Sequence, residues 1–106
     1  MRHWTPAEFA THLTTFPTVP LSILDVREEW EYDIAHLEGT TLIPLGQLAG
    51  KMAQLDNTQE WLVVCHHGIR SAHACYYLER NGFRVINLTG GIDRWAQEVD
   101  HDMSLY

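Results

Sequence analysis

Trp61-Leu62-Val63-Val64-Cys65 is apolar at every position and lies between polar segments. A strand with one wet face alternates apolar and polar residues, so an unbroken short run predicts a strand covered on both faces. Helices are what cover both faces, and they accompany parallel strands joined by crossovers. The rest of the chain supplies the pieces. Leu21–Val26, Thr41–Pro44 and Phe83–Leu88 read as further short strands. Thr5-Pro6-Ala7-Glu8 is a capping box with proline at the first helical position, predicting a helix to about Leu13 that the chain enters at once. Pro17 and Pro20 mark a loop, and Glu28–Ala35 reads as a short charged helix. Leu45, Leu48, Met52 and Leu55 recur at helical spacing, as do Ser71, Ala74, Cys75 and Leu78, with Ser71 a candidate N-cap and Gly82 a stop. Ile92, Trp95 and Val99 form a last stripe before the polar tail Asp100–Tyr106, which is expected to be loose. The expected fold class is α/β, one domain over residues 1–106, with a mainly parallel central sheet flanked by helices.

Charge removes several functions. Seven Lys and Arg stand against 14 Asp and Glu, a formal charge of −7. A nucleic-acid or anionic-membrane surface needs a basic face, so neither partner is expected. No apolar run exceeds five residues, far short of the about 20 that span a bilayer. With no export segment and only two cysteines, Cys65 and Cys75, a reducing cytoplasmic setting is the expectation.

Chemistry concentrates in Cys65-His66-His67-Gly68-Ile69-Arg70-Ser71. The thiol ends a buried strand just before a helix begins, the edge at which open α/β sheets bind ligands. Backbone N–H groups turning inward around Gly68 make an anion-binding ring, backed by the helix dipole. Such a setting beside a cation favours a thiolate, and Arg70 supplies both the cation and a fork suited to oxyanions. Cys75, on the apolar helix face, reads as core. His66 and His67 either tune the loop's charge or, as the preferred reading, point to solvent and contribute only backbone N–H groups. A Cys/His metal site is not expected, because Cys65, His66 and His67 are contiguous and no second ligand pair sits at zinc spacing. Asp25 and Arg27, on the same sheet edge, are read as fixing loops rather than touching substrate, and Trp30, Tyr32 and His36 as satellite core rather than pocket wall.

That loop resembles the active loop of the rhodanese family of sulfurtransferases. Leu24-Asp25-Val26-Arg27-Glu28-Glu29-Trp30-Glu31-Tyr32, with Ala35-His36-Leu37-Glu38-Gly39 and Ile43-Pro44-Leu45, resembles the family's amino-terminal signature. Gly82-Phe83, Val85-Ile86-Asn87-Leu88 and Gly90-Gly91-Ile92-Asp93-Arg94-Trp95 resemble its carboxyl-terminal one. The three stretches run in family order from about residue 21 to 95. Glu38 and Thr40 stand where proline and alanine are commoner, at a turn away from the chemistry.

The resemblance implies a rhodanese-like domain in which Cys65 is the catalytic nucleophile and His66, His67, Gly68, Ile69 and Arg70 bind substrate. It implies a sulfane sulfur moved from thiosulfate or a persulfide donor to cyanide, a thiol or a protein acceptor, through a Cys65 persulfide and with no cofactor. Four residues separate Cys65 from Arg70; in the family this short loop accompanies sulfur transfer, and a loop one residue longer accompanies phosphatase and arsenate-reductase relatives. The alternatives are a non-catalytic interaction or sensor module on the same fold and, less favoured by the loop, a phosphatase or arsenate reductase.

Overall fold

A computed structural model of the chain describes residues 1–16 and 21–106; the loop expected around Pro17 and Pro20 lies outside them. Five strands form one parallel sheet in the order β1-β5-β4-β2-β3: β1 (Arg2–Trp4), β2 (Ser22–Asp25), β3 (Thr40–Leu42), β4 (Glu60–Val64) and β5 (Arg84–Leu88). The apolar run that pointed to a doubly covered strand is β4, at the centre. Its side chains alternate between two cores, as a period of two requires. Trp61, Val63 and Cys65 join Leu24, Val26, Ala74, Cys75, Leu78 and Val85 on one face, under α4 (Ile69–Arg80). Leu62 and Val64 join Phe9, Ile86, Leu88, Ile92 and Trp95 on the other, under α1 (Pro6–Thr15) and α5 (Gly91–Glu98). Phe9 and Trp95 tie those two helices together, with ring centroids 4.8 Å apart.

Local chemistry sets the helix ends. Thr5 caps α1 by accepting the Glu8 N–H at 3.2 Å while the Glu8 carboxylate accepts the Thr5 N–H at 3.2 Å; such caps stabilise by about 1 kcal/mol. The charged helix is α2 (Glu29–Ile34).

Three expectations for helices and strands change. Arg2–Trp4, read as part of the approach to the first helix, is an edge strand paired with Ile86–Leu88; three residues carry no periodic signal, and the pairing comes from β5. The stripe Leu45–Leu55 keeps its buried face but not one helix. It breaks into 3-10 turns at Leu45–Gln47 and Met52–Gln54 around a single α turn, α3 (Leu48–Lys51). Gly46 and Gly50 fall inside that stretch, each costing about 1 kcal/mol of helix propensity. The third change is at α4, which begins at Ile69 with Gly68 as its N-cap, leaving Ser71 inside the first turn. Gly68 adopts φ +92°, and a Cβ there would lie 2.9 Å from the Gly90 nitrogen, so the position suits glycine on both counts. Among the described residues no helix is long and apolar enough to cross a membrane.

Candidate active site

Cys65 leaves the end of β4 and Gly68 turns the chain into α4, so the loop closes over its own thiol. The Gly68 N–H donates to Cys65 Sγ at 3.0 Å. On the other side the thiol donates to Ser71 Oγ at 3.3 Å, the Ser71 hydroxyl donates to Asn87 Oδ1 at 2.5 Å, and Asn87 Nδ2 donates to the Gly68 carbonyl at 3.3 Å. This buried circuit runs from the sulfur through α4 and β5 back to the loop. Cys65 is 1% exposed. Ser71 holds a single hydroxyl proton, which can serve either Asn87 Oδ1 or an ionised sulfur.

The first turn of α5 fastens the loop from outside. Ile92 and Asp93 donate backbone N–H bonds to the Cys65 and His66 carbonyls at 2.8 and 3.0 Å. Gly91, at φ +62°, permits this approach, since a Cβ there would stand 2.4 Å from the Cys65 oxygen and 2.5 Å from that of His66.

Of the two histidines expected to point to solvent only His67 does so; His66 is covered, stacking on His67 with centroids 3.9 Å apart and under the Tyr106 ring, also at 3.9 Å. Burial, and then the neighbouring His67, push the His66 pKa below its usual value, which favours its neutral form. The Ile69 side chain points outward and is exposed, leaving its backbone as its contribution to the loop.

Arg70 does not present a free fork. Both its terminal nitrogens reach the Glu31 carboxylate, at 2.6 and 2.7 Å. Glu31, nearly buried, also accepts the Tyr106 hydroxyl at 2.9 Å and the Glu28 N–H at 3.1 Å. The Arg70 guanidinium, with these other donors, holds the Glu31 pKa down at about 2. Glu31 in turn raises the Arg70 pKa.

Asp25 and Arg27 fix loops, as expected. Both are fully buried. Arg27 Nη2 meets Asp25 Oδ2 at 2.7 Å and donates to the Ala35 carbonyl at 2.7 Å, while Nη1 donates to the Tyr106 hydroxyl at 2.9 Å. Cys75 is a core residue whose pKa burial pushes up to about 12.

The rhodanese-like domain family model matches residues 5–98. This chain belongs to the rhodanese-like domain family. Over 79 residues, 74% of its length, it is 35% identical to the Bacillus subtilis protein named "Putative sulfurtransferase YtwF", covering 77% of that protein. Over 81 residues it is 38% identical to the same organism's "Putative sulfur carrier protein YrkF", but spans only 44% of that longer chain. The crystal structure of a rhodanese-like domain protein from Staphylococcus aureus superposes with a TM-score of 0.85 at 29% identity, covering 93% of this chain and 95% of the other.

Within this rhodanese-like domain, four contributors to the site went unrecognised in the sequence. Ser71 has the sequence signature of a helix cap, whereas its hydroxyl faces the thiol. Asn87 and Glu31 stood inside the family signatures without assigned roles; each is a polar residue that the fold buries at a sheet or helix end. The fourth is Tyr106. The tail expected to be loose folds back so that Tyr106 contacts Arg27, Glu31 and His66, while Trp30 packs edge-on against it. Tyr106 lies beyond the residues matched by the family model, and no local pattern in Asp100–Tyr106 points to the loop.

Proposed function

We propose that this domain is a sulfurtransferase that carries a sulfane sulfur as a persulfide on Cys65. The observation that carries the proposal is the sulfur's setting: it ends the central strand, receives the Gly68 N–H, and lies beside the Ser71 hydroxyl. The names of the relatives, one a sulfurtransferase and one a sulfur carrier, support the same class of reaction.

The thiol first releases its proton to water, because the thiolate is the nucleophile. Cys65 Sγ then attacks the outer sulfur of thiosulfate. A new S–S bond forms as the S–S bond of thiosulfate breaks, and sulfite leaves with that bond's electron pair. In the second half-reaction the carbon of cyanide, or a thiolate, attacks the terminal sulfur of the persulfide. The Cys65 S–S electron pair returns to Sγ, regenerating the thiolate and releasing thiocyanate or a new persulfide. No external oxidant or reductant enters. The Gly68 N–H and the Ser71 hydroxyl stabilise the sulfur anion at the start and end of each cycle. Arg70, held by Glu31, acts on an anionic donor through its charge.

The test is thiocyanate formation from thiosulfate and cyanide by wild type and Cys65→Ser. Wild type is expected to turn over and the variant to lose activity while retaining its circular dichroism spectrum. Turnover that survives in Cys65→Ser overturns the assignment of the nucleophile.

A further inference from the structure

The fold supplies something the contiguous His66-His67 pair lacks, a third ligand from a distant element. Asp93, in the first turn of α5, sets its carboxylate against both rings: His66 Nε2 is 3.9 Å from Asp93 Oδ1, and His67 Nε2 is 3.6 Å from Asp93 Oδ2. One ligand atom from each of the three residues lies within 4.8 Å of the others. We propose that His66, His67 and Asp93 form a binding site for a zinc-class divalent cation at the mouth of the Cys65 loop.

The three residues are kept close together before any ion arrives. The Asp93 N–H is bonded to the His66 carbonyl at 3.0 Å, so α5 and the loop cannot separate without losing that bond. Gln97 Nε2 donates to Asp93 Oδ2 at 2.9 Å, an outer contact of the kind that orients ligating carboxylates. The His66 ring is clamped between His67 and Tyr106. Its Nε2 is shielded from water and makes no hydrogen bond among the described residues. A buried nitrogen with no partner is a cost that a bound ion removes.

Geometry and ligand chemistry agree on the class of ion. Zinc–nitrogen and zinc–oxygen bonds of about 2.0–2.1 Å in a tetrahedron place ligand atoms about 3.3 Å apart. The two His–Asp separations, which run to different oxygens of the carboxylate, must contract by about 0.6 and 0.3 Å to reach that value, and the stacked imidazoles must fan apart to turn both nitrogens toward one ion. Two imidazoles and one carboxylate suit zinc, cobalt, nickel or copper, whereas magnesium and calcium prefer all-oxygen shells. Three protein ligands leave a fourth position open. Electrostatics also favours a cation: the chain carries a formal charge of −7, and Glu31 offsets part of the charge of the loop's own cation, Arg70.

The inference does not depend on sulfur transfer, and its test removes the thiol. Tag-free wild type and Cys65→Ser are titrated with Zn²⁺ by calorimetry and with Co²⁺ by visible absorption. Both proteins are expected to bind one equivalent, with a tetrahedral cobalt d–d band that persists in Cys65→Ser. Asp93→Asn and His67→Gln, each in the Cys65→Ser background, are expected to weaken zinc binding at least tenfold. His67 is 60% exposed, so its substitution leaves the fold intact. Unchanged affinity in both variants, or binding that disappears in Cys65→Ser alone, overturns the site.

Discussion

Replacing Glu31 with glutamine probes how the loop's cation is held. The Glu31 carboxylate takes both Arg70 nitrogens, the Tyr106 hydroxyl and the Glu28 N–H. Its pKa falls from an ordinary 4.5 to about 2, chiefly through the Arg70 bonds. A depression of that size corresponds to roughly 3 kcal/mol favouring the ionised form in the fold. Arg70 is 36% exposed, and solvent screening at its end reduces the contribution to about 2 kcal/mol. The sign follows from the direction of the shift. A depressed folded pKa contributes stability that is present above the unfolded value of about 4.5 and is lost as the pH falls through about 2. Glu31→Gln keeps the side chain's shape and removes its charge. Near pH 7 the variant is expected to melt roughly 8–16 °C below wild type, at 4–8 °C per kcal/mol for a domain of this size. The gap should narrow below pH 4.5 and fall to less than about half by pH 3, as the carboxyl takes up its proton in the unfolded chain while the folded one stays largely ionised. Melting curves by circular dichroism across this range measure it. A variant within 2 °C of wild type at pH 7, on the scale of about 0.5 kcal/mol or less, would refute the reasoning, as would a gap that stays constant with pH.

Other perturbations test the neighbouring contacts. Ser71→Ala removes the hydroxyl beside Cys65 Sγ and strips Asn87 Oδ1 of its donor; sulfur transfer should fall roughly 10- to 100-fold, the worth of one hydrogen bond to a charged group, and turnover within twofold of wild type would place Ser71 outside the chemistry. Gly91→Ala puts a Cβ against the Cys65 and His66 carbonyls at a positive φ. It should cost about 2–4 kcal/mol in urea denaturation, from backbone strain and two weakened loop bonds. Cys75, with its pKa near 12, should resist iodoacetamide at pH 8 in folded Cys65→Ser and react only after unfolding. Labelling of the native variant would show that its burial is not as described.

The parts of this domain that were legible in the sequence are those in which burial dictates residue type. β4 could be placed because five apolar residues in a row have nowhere to go except a doubly covered position, and α1 because Thr5 and Glu8 cap it reciprocally. The strand-loop-helix unit around Cys65 was legible because Gly68 and the apolar face of α4 locate the turn. What escaped was set by partners far away in the chain. Arg2–Trp4 is a strand only because β5 offers an unpaired edge. Ser71 at a helix start looks like a cap until Asn87, 16 residues later, claims its proton. Arg70 looks like a free oxyanion fork until Glu31, on a different helix, takes both its nitrogens. Tyr106 reaches the loop through a reversal of the tail for which its own sequence carries no periodicity.

The central claim is that Cys65 accepts and holds a sulfur atom. Reduced protein incubated with thiosulfate, freed of excess reagent and weighed intact under non-reducing conditions, tests it directly. A persulfide adds one sulfur, about 32 Da. The account predicts that gain in wild type, its loss on adding cyanide, and its absence from Cys65→Ser. An equal gain in Cys65→Ser, or none in freshly reduced wild type with either thiosulfate or a small-molecule persulfide as donor, would contradict it.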